Sequence, residues 1–186
     1  MDINLKYKLY QQDYLHQVLY SNAMSKNAKK QRLRAWVFTT FFILILSFLW
    51  LSVSNDTIEM GHYLGAIPTC IIGILCFPYF FKFIQKKQLL KHTNEVYKNN
   101  YGKEINLLFG TNTIEIQNAL GISKINYSAL EKIIETSSHF FMVLKAGSYI
   151  IIPKSSIKNM DDFRVKIKNI ASKSKILYST ELDWKW

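Results

Sequence analysis

Residues 35–53 read AWVFTTFFILILSFLWLSV and residues 63–81 read YLGAIPTCIIGILCFPYFF, and neither stretch contains a charged side chain. Each has 19 residues, which as a helix would extend about 28 Å, close to the thickness of the hydrocarbon core of a bilayer. The sequence therefore predicts two transmembrane helices, at 35–53 and 63–81. The alternatives are two core helices, which would need a polar face, and a cleaved signal peptide for the first stretch, whose position is far from the N-terminus.

Basic residues flank this pair of stretches on their outer sides. Residues 1–34 carry a net charge of +5 and residues 63–100 carry +4, whereas the connecting segment 54–62 has two carboxylates and no Lys or Arg. The positive-inside rule therefore predicts an external loop at 54–62 and both termini in the cytoplasm, for a multi-pass membrane protein. The predicted basic cluster at the membrane surface comprises Lys29, Lys30, Arg32, Arg34, Lys82, Lys86, Lys87 and Lys91.

Small residues predict how the two apolar helices pack. Inside a bilayer the hydrophobic effect does not drive helices together, so close contact depends on small side chains at the interface. Helical spacing brings such residues to one face of each helix. The alternative is that these residues are simply frequent in membrane helices. The predicted contact faces are Gly65, Thr69, Gly73 and Cys76 on the second helix and Thr40 and Ser47 on the first.

The chain after the second apolar stretch changes from a helical to a strand pattern. Residues 82–101 have a helical composition and predict a basic cytoplasmic stalk with Gly102 as its C-terminal cap. The segment 102–186 begins with short runs rich in Ile, Phe, Tyr and Val that are separated by turn residues. It predicts a β meander with strands at 104–109, 113–117, 122–126, 130–136, 140–145 and 149–152.

Two further segments complete the predicted cytoplasmic domain. Near the C-terminus, Asp161 predicts the N-cap of a helix with an apolar stripe of Phe163, Ile167 and Ile170. At the N-terminus, residues 1–34 begin with an alternating strand pattern, followed by a helix that Asp13 caps. Because an isolated strand is unstable, we expect this one to join the C-terminal sheet. The predicted fold class is a membrane α-helical hairpin plus a soluble α+β domain.

Three segments carry a family resemblance: YKLYQQDYL at 7–15, INYSALEKIIETSSHFFMVL at 125–144 and SYIIIPKSSI at 148–157. With the two apolar stretches between them, they resemble the YcxB-like family of small bacterial membrane proteins. The resemblance implies an antiparallel β-sandwich or barrel, similar to pleckstrin-homology (PH) domains, capped by one C-terminal helix. It brings no active site to carry over.

The sequence predicts no catalytic, cofactor-binding or metal-binding residues and no cofactor. The four histidines fall in different segments, so a site built from them would require the fold to bring them together. Lys154, Ser155 and Ser156 either bind an anion or form a turn.

The distribution of charge limits the function classes. The net charge of +11 invites a nucleic-acid partner, but residues 101–186 carry only +4 and the chain has three arginines, so no nucleic acid is expected. We expect a non-enzymatic, membrane-anchored protein of regulatory or adaptor type that binds a protein partner or lipid headgroups. The alternative is an immunity protein that protects its cell against a secreted toxin. Homo-oligomerisation stays open.

Overall fold

The computed structural model describes residues 3–53, 60–119 and 121–186, with side chains placed outside 51–66. Most of the predicted external loop, 54–59, lies outside the described residues. The chain divides into two compact units. One is formed by Met1–Tyr20 and Lys91–Trp186, and the other by Ser21–Leu90. We call them the β-rich unit and the helical unit.

Three helices contribute to the helical unit: the end of α1 (Gln11–Met24), all of α2 (Lys26–Val53) and most of α3 (Met60–Tyr97). Ser25 separates the first two, and its hydroxyl accepts a hydrogen bond from the Ala28 N–H at 3.3 Å, as an N-cap does. Lys26–Trp50 and Ile67–Asn100 each have a mean hydropathy of 1.8, and none of either apolar window is buried. These two helices are long and apolar enough to cross a membrane.

Four strands form the first sheet of the β-rich unit: β1 (Ile3–Lys8), β2 (Glu104–Phe109), β3 (Thr113–Asn118) and β4 (Gly121–Asn126). They are antiparallel in the order β1-β2-β3-β4. The N-terminal strand pairs with β2 in a register that places Leu5 opposite Leu107, so both buried side chains share one face. Residues about one hundred positions apart therefore lie side by side.

The second sheet contains β5 (Leu130–Thr136), β6 (His139–Leu144), β7 (Tyr149–Pro153) and β8 (Leu177–Glu181). Its order is β7-β6-β5-β8, and β8 runs parallel to β5. The single predicted meander is therefore wrong in two respects. The strands divide into two sheets, and the strand β8 follows the helix α4 (Met160–Lys173). A crossover helix is what allows the chain to return for parallel pairing.

Helix α4 covers the core with a stripe of three buried residues, Phe163, Ile167 and Ala171. The Phe163 ring packs edge-on against Phe140 and Phe109, with centroid distances of 5.2 and 6.1 Å. The predicted stripe was correct at its first two positions, and Ile170 is only partly buried at the margin. The aromatic contacts fix α4 against both sheets.

The helix caps differ in detail from the predicted ones. Asn159 is the N-cap of α4, and its side chain accepts from the Asp162 N–H, so Asp161 lies inside the first turn rather than at the cap. Asp13 is the third residue of α1, and its Oδ2 accepts from the Tyr10 N–H at 2.7 Å. This is the reciprocal half of a capping box, in which the third helical residue reaches back to the cap. Gly102 has φ +70° and donates its N–H to the carbonyl of Leu9.

Candidate functional site

The most buried ionised group in the β-rich unit is Glu135, near the end of β5, whose side chain is 1% exposed. Three side chains from three other segments converge on its carboxylate. Lys154 Nζ lies 2.7 Å from Oε1, Arg164 Nη2 lies 2.8 Å from Oε1, and the Tyr178 hydroxyl donates to Oε2 at 2.5 Å. The carboxylate therefore ties together β5, the turn after β7, α4 and β8.

These contacts decide the charge state of Glu135. Burial alone would raise the pKa of its carboxyl, but hydrogen bonds from Arg164, Lys154 and Tyr178 outweigh burial and lower the pKa to about 2. Burial and the hydrogen bond to the same carboxylate raise the pKa of the Tyr178 hydroxyl. The cluster is ionised and internally satisfied at neutral pH, as expected of a structural cross-link.

The position of Lys154 decides between the two interpretations of residues 154–156, an anion site or a turn. Its ammonium bonds Glu135 and lies 5.2 Å from the centre of the Phe140 ring. Ser156 donates to the carbonyl of Pro153 at 2.6 Å. Residues Lys154–Ser156 form a short 3₁₀ turn, so the turn interpretation is correct and the lysine is engaged internally.

A second polar cluster joins α1 to the turn between β5 and β6. His139 Nε2 lies 2.8 Å from Asp13 Oδ1, and its Nδ1 lies 2.8 Å from the Ser138 hydroxyl. The same hydroxyl lies 3.3 Å from Nδ1 of His16. The fold thus brings together two of the four histidines, which no sequence spacing could have predicted.

The chemistry of this cluster follows from the two nitrogens of His139. When Nε2–H donates to Asp13, Nδ1 accepts from the Ser138 hydroxyl. The Asp13 carboxylate is partly buried, which opposes ionisation, but hydrogen bonds from His139 and the Tyr10 N–H lower its pKa below the ordinary value. The arrangement holds α1 on the second sheet and keeps the imidazole in one orientation.

A cavity of about 340 Å³ opens between the β2–β3 turn and α4. Thr111 and Asn112 line it from the turn, and Lys166, Asn169 and Lys173 line it from the helix. Its volume lies within the usual range for small-ligand pockets, about 300–1,000 Å³. No local sequence pattern predicts this cavity, because the turn and the helix are separated by more than fifty residues.

The strand β4 forms one edge of the first sheet. In the part of the chain that the structure describes, β4 pairs with β3 alone. Its residue Ile125 faces inward opposite the buried Ile114, whereas Ile122 is 64% exposed. An edge of this kind presents unpaired backbone N–H and C=O groups beside an apolar side chain.

The predicted membrane-surface basic cluster lies on α2 and α3. All of its members are exposed apart from Arg32, which is half-buried. The Arg32 guanidinium donates to the Asn22 side chain and the Ala23 carbonyl near the end of α1. Lys91 lies 3.9 Å from Glu95 in an exposed pair. The cluster's predicted role at a membrane surface remains a prediction.

The packing of α2 on α3 uses part of the predicted faces. Ser47 Oγ lies 2.8 Å from the Cys70 sulfur, and a Cβ added at Gly73 would lie 3.5 Å from Ile43 Cδ1. Thr40 is half-buried, Thr69 and Cys76 are exposed, and Gly65 falls in the part of α3 whose side chains are not described. Cys70 and Gly73 of α3 therefore lie at the contact with Ser47 and Ile43 of α2.

The segment that contains Glu135 and His139 resembles a known protein family. The YcxB-like protein family matches residues 109–165. The YcxB-like segment extends from the last residue of β2 into the first turns of α4, and it includes Lys154 and Arg164. The resemblance drawn from the sequence is confirmed over this segment. No curated protein and no solved structure matches the chain.

Proposed function

We propose that the chain is a non-enzymatic protein of the bacterial cytoplasmic membrane, whose PH-like cytoplasmic unit binds a protein partner by strand addition at β4. The exposed edge of β4 is the observation that carries the proposal. The proposed function has three parts: anchoring by α2 and α3, presentation on the cytoplasmic side, and recognition at the edge strand.

The topology is supported by the pairing of β1 with β2. The strand β1 precedes both apolar helices and β2 follows both of them, yet the two strands share a sheet. Segments that pair must lie on the same side of a membrane, so the chain crosses it an even number of times. Two crossings satisfy this condition, and the basic flanks favour the cytoplasm as that side.

A PH-like architecture agrees with the element order of the β-rich unit. Two four-stranded sheets share one core, and α4 covers it with Phe163 and Ile167. The unit departs from a simple capped sandwich because β8 follows the helix and extends the second sheet. We propose that β1 to β7 and α4 form the PH-like part of the unit, and that β8 is an additional strand.

The edge of β4 suits an extended peptide. Natural proteins protect exposed edges with charges, bulges or covering segments. On β4 the one charged residue, Lys124, lies opposite Glu115 in the strand register, so its charge has a complement within the sheet. Backbone groups of the edge would supply affinity, and Ile122 would supply an apolar contact for alternate side chains of the peptide.

Site-specific photo-crosslinking in living cells tests this proposal. A photoreactive amino acid replaces Ile122 in the full chain, and the control position is Leu177 on the edge strand β8, which is 65% exposed. We expect one reproducible protein adduct of defined mass at position 122 and none at position 177. In a separate variant the photoreactive residue replaces Ser123, and we expect the same adduct there. Adding Ile122→Lys to that variant should remove the adduct, because an added charge blocks edge pairing.

Two results would overturn the proposal. The first is the absence of any adduct at position 122 under conditions in which the protein is expressed and membrane-inserted. The second is an identical adduct at positions 122 and 177, which would indicate unspecific collisions rather than strand addition.

A further inference from the structure

We propose that the cavity between the β2–β3 turn and α4 binds a phosphate-bearing anion. The inference goes beyond the proposed protein contact at β4 and uses different residues. It rests on the shape of the cavity, on the side chains that line it and on their charge.

The described part of the lining is positively charged: it includes two lysines and no carboxylate. Lys166 and Lys173 are seven residues apart on α4, two helical turns, so they project from the same face. Asn169 lies between them, and Thr111 and Asn112 face them from the turn. Two ammonium groups together with amide and hydroxyl donors form a set that matches the oxygens of a phosphate group.

The floor of the cavity is apolar and fixed. Ile3 and Ile170 contribute hydrocarbon surface, and both are partly buried against the core. Tyr127 donates its hydroxyl to the carbonyl of Gly110 at 2.9 Å, which ties the turn in place. A small organic group attached to the phosphate could therefore lie on the floor while the phosphate faces the lysines. This favours a phosphomonoester over free phosphate.

One lysine already has an acidic neighbour. Lys166 Nζ lies 2.7 Å from Asp162 Oδ2, a pair on one helix that is 31% and 52% exposed at its two side chains. Exposed pairs of this type are weak, so an incoming phosphate competes with Asp162 at little cost. Lys173 lies at the last turn of α4 and is exposed.

The phosphate group could belong to a soluble phosphomonoester or to the headgroup of an anionic lipid. The test uses the full chain in nanodiscs of phosphatidylcholine. Calorimetric titration with glycerol 3-phosphate probes the soluble source. Nanodiscs that also contain phosphatidic acid probe the lipid source, read out as slower hydrogen exchange in the β2–β3 turn and α4.

Matched lysine variants locate the binding. Lys166→Gln combined with Lys173→Gln should weaken glycerol 3-phosphate binding at least about tenfold, the loss expected for hydrogen bonds to a charged group. The control is Lys168→Gln, which removes the same charge from the same helix at a residue that lies over the Tyr178 ring. We expect this control to leave binding unchanged. Ile122→Lys should also leave it unchanged, which would show that the cavity binds its ligand independently of the edge strand β4.

Slower exchange with phosphatidic acid but no glycerol 3-phosphate binding would assign the cavity to a lipid headgroup, and the reverse would assign it to a soluble ester. Both outcomes support the proposal, provided that the double variant abolishes the effect. The proposal is overturned when neither probe binds, or when Lys168→Gln weakens binding as much as the double variant.

Discussion

Replacing Glu135 by Gln removes one negative charge and preserves the size of the side chain. The variant leaves Lys154 and Arg164, whose side chains are 15% and 31% exposed, without their shared carboxylate. It also deprives the Tyr178 hydroxyl of its charged acceptor. Removing one partner of a buried ion pair is costly because the remaining charges stay desolvated.

The lowered pKa of Glu135 gives the size of the expected loss of stability. The pKa of Glu135 is lowered from 4.5 to about 2, which corresponds to about 3 kcal/mol of stabilisation of the ionised form in the folded state. The pH dependence has a definite sign, since the pKa is lowered on folding. The stabilisation is complete above pH 4.5 and is lost as the pH falls towards 2.

Hydrogen exchange of the full chain in detergent measures this loss. We expect amides of β5 and α4 to exchange about a hundredfold faster in Glu135→Gln than in the wild type at neutral pH. The matched control is Glu131→Gln, an exposed position on the same strand. We also expect the difference between wild type and Glu135→Gln to shrink below pH 4.5. The reasoning is refuted when Glu135→Gln exchanges like the control, or when the difference does not change with pH.

Three further perturbations have expected outcomes. Asp13→Asn should cost about 1–2 kcal/mol, because a neutral amide replaces the charged acceptor beside the Tyr10 N–H and His139; because the pKa of Asp13 is lowered, the effect should fade as the pH falls below 3.8, and exchange of α1 amides measures it. Gly147→Ala should cost about 1–2 kcal/mol in the β6–β7 turn, since its φ is +83° with open space around it; unchanged exchange there would contradict this. Gly73→Ala should leave the thermal stability of the detergent-solubilised chain unchanged, because the new methyl would lie 3.5 Å from Ile43, whereas Gly73→Leu should lower it.

The candidate sites were less predictable than the strands that hold them. The turn at 154–156 carries the lysine that the sequence offered as an anion site, yet that lysine bonds Glu135. Ile133 and Ile134 precede Glu135 on β5 as an apolar run, and nothing in that run predicts an arginine from α4 as the partner of Glu135. The lysines at the cavity are two among many in the chain, and only the placement of α4 beside the β2–β3 turn makes them neighbours.

The sequence by itself determined the elements whose signals are local. Two stretches without charge predicted the apolar parts of α2 and α3, and alternation bounded by turn residues predicted β2 to β7 to within one or two residues. Such signals are local because side-chain periodicity and turn chemistry depend on neighbours along the chain. Pairing between distant segments has no local signal. The tertiary structure alone decided the division into two sheets, the parallel addition of β8 and the meeting of Asp13 with His139, since long-range contacts depend on which surfaces the whole chain buries together.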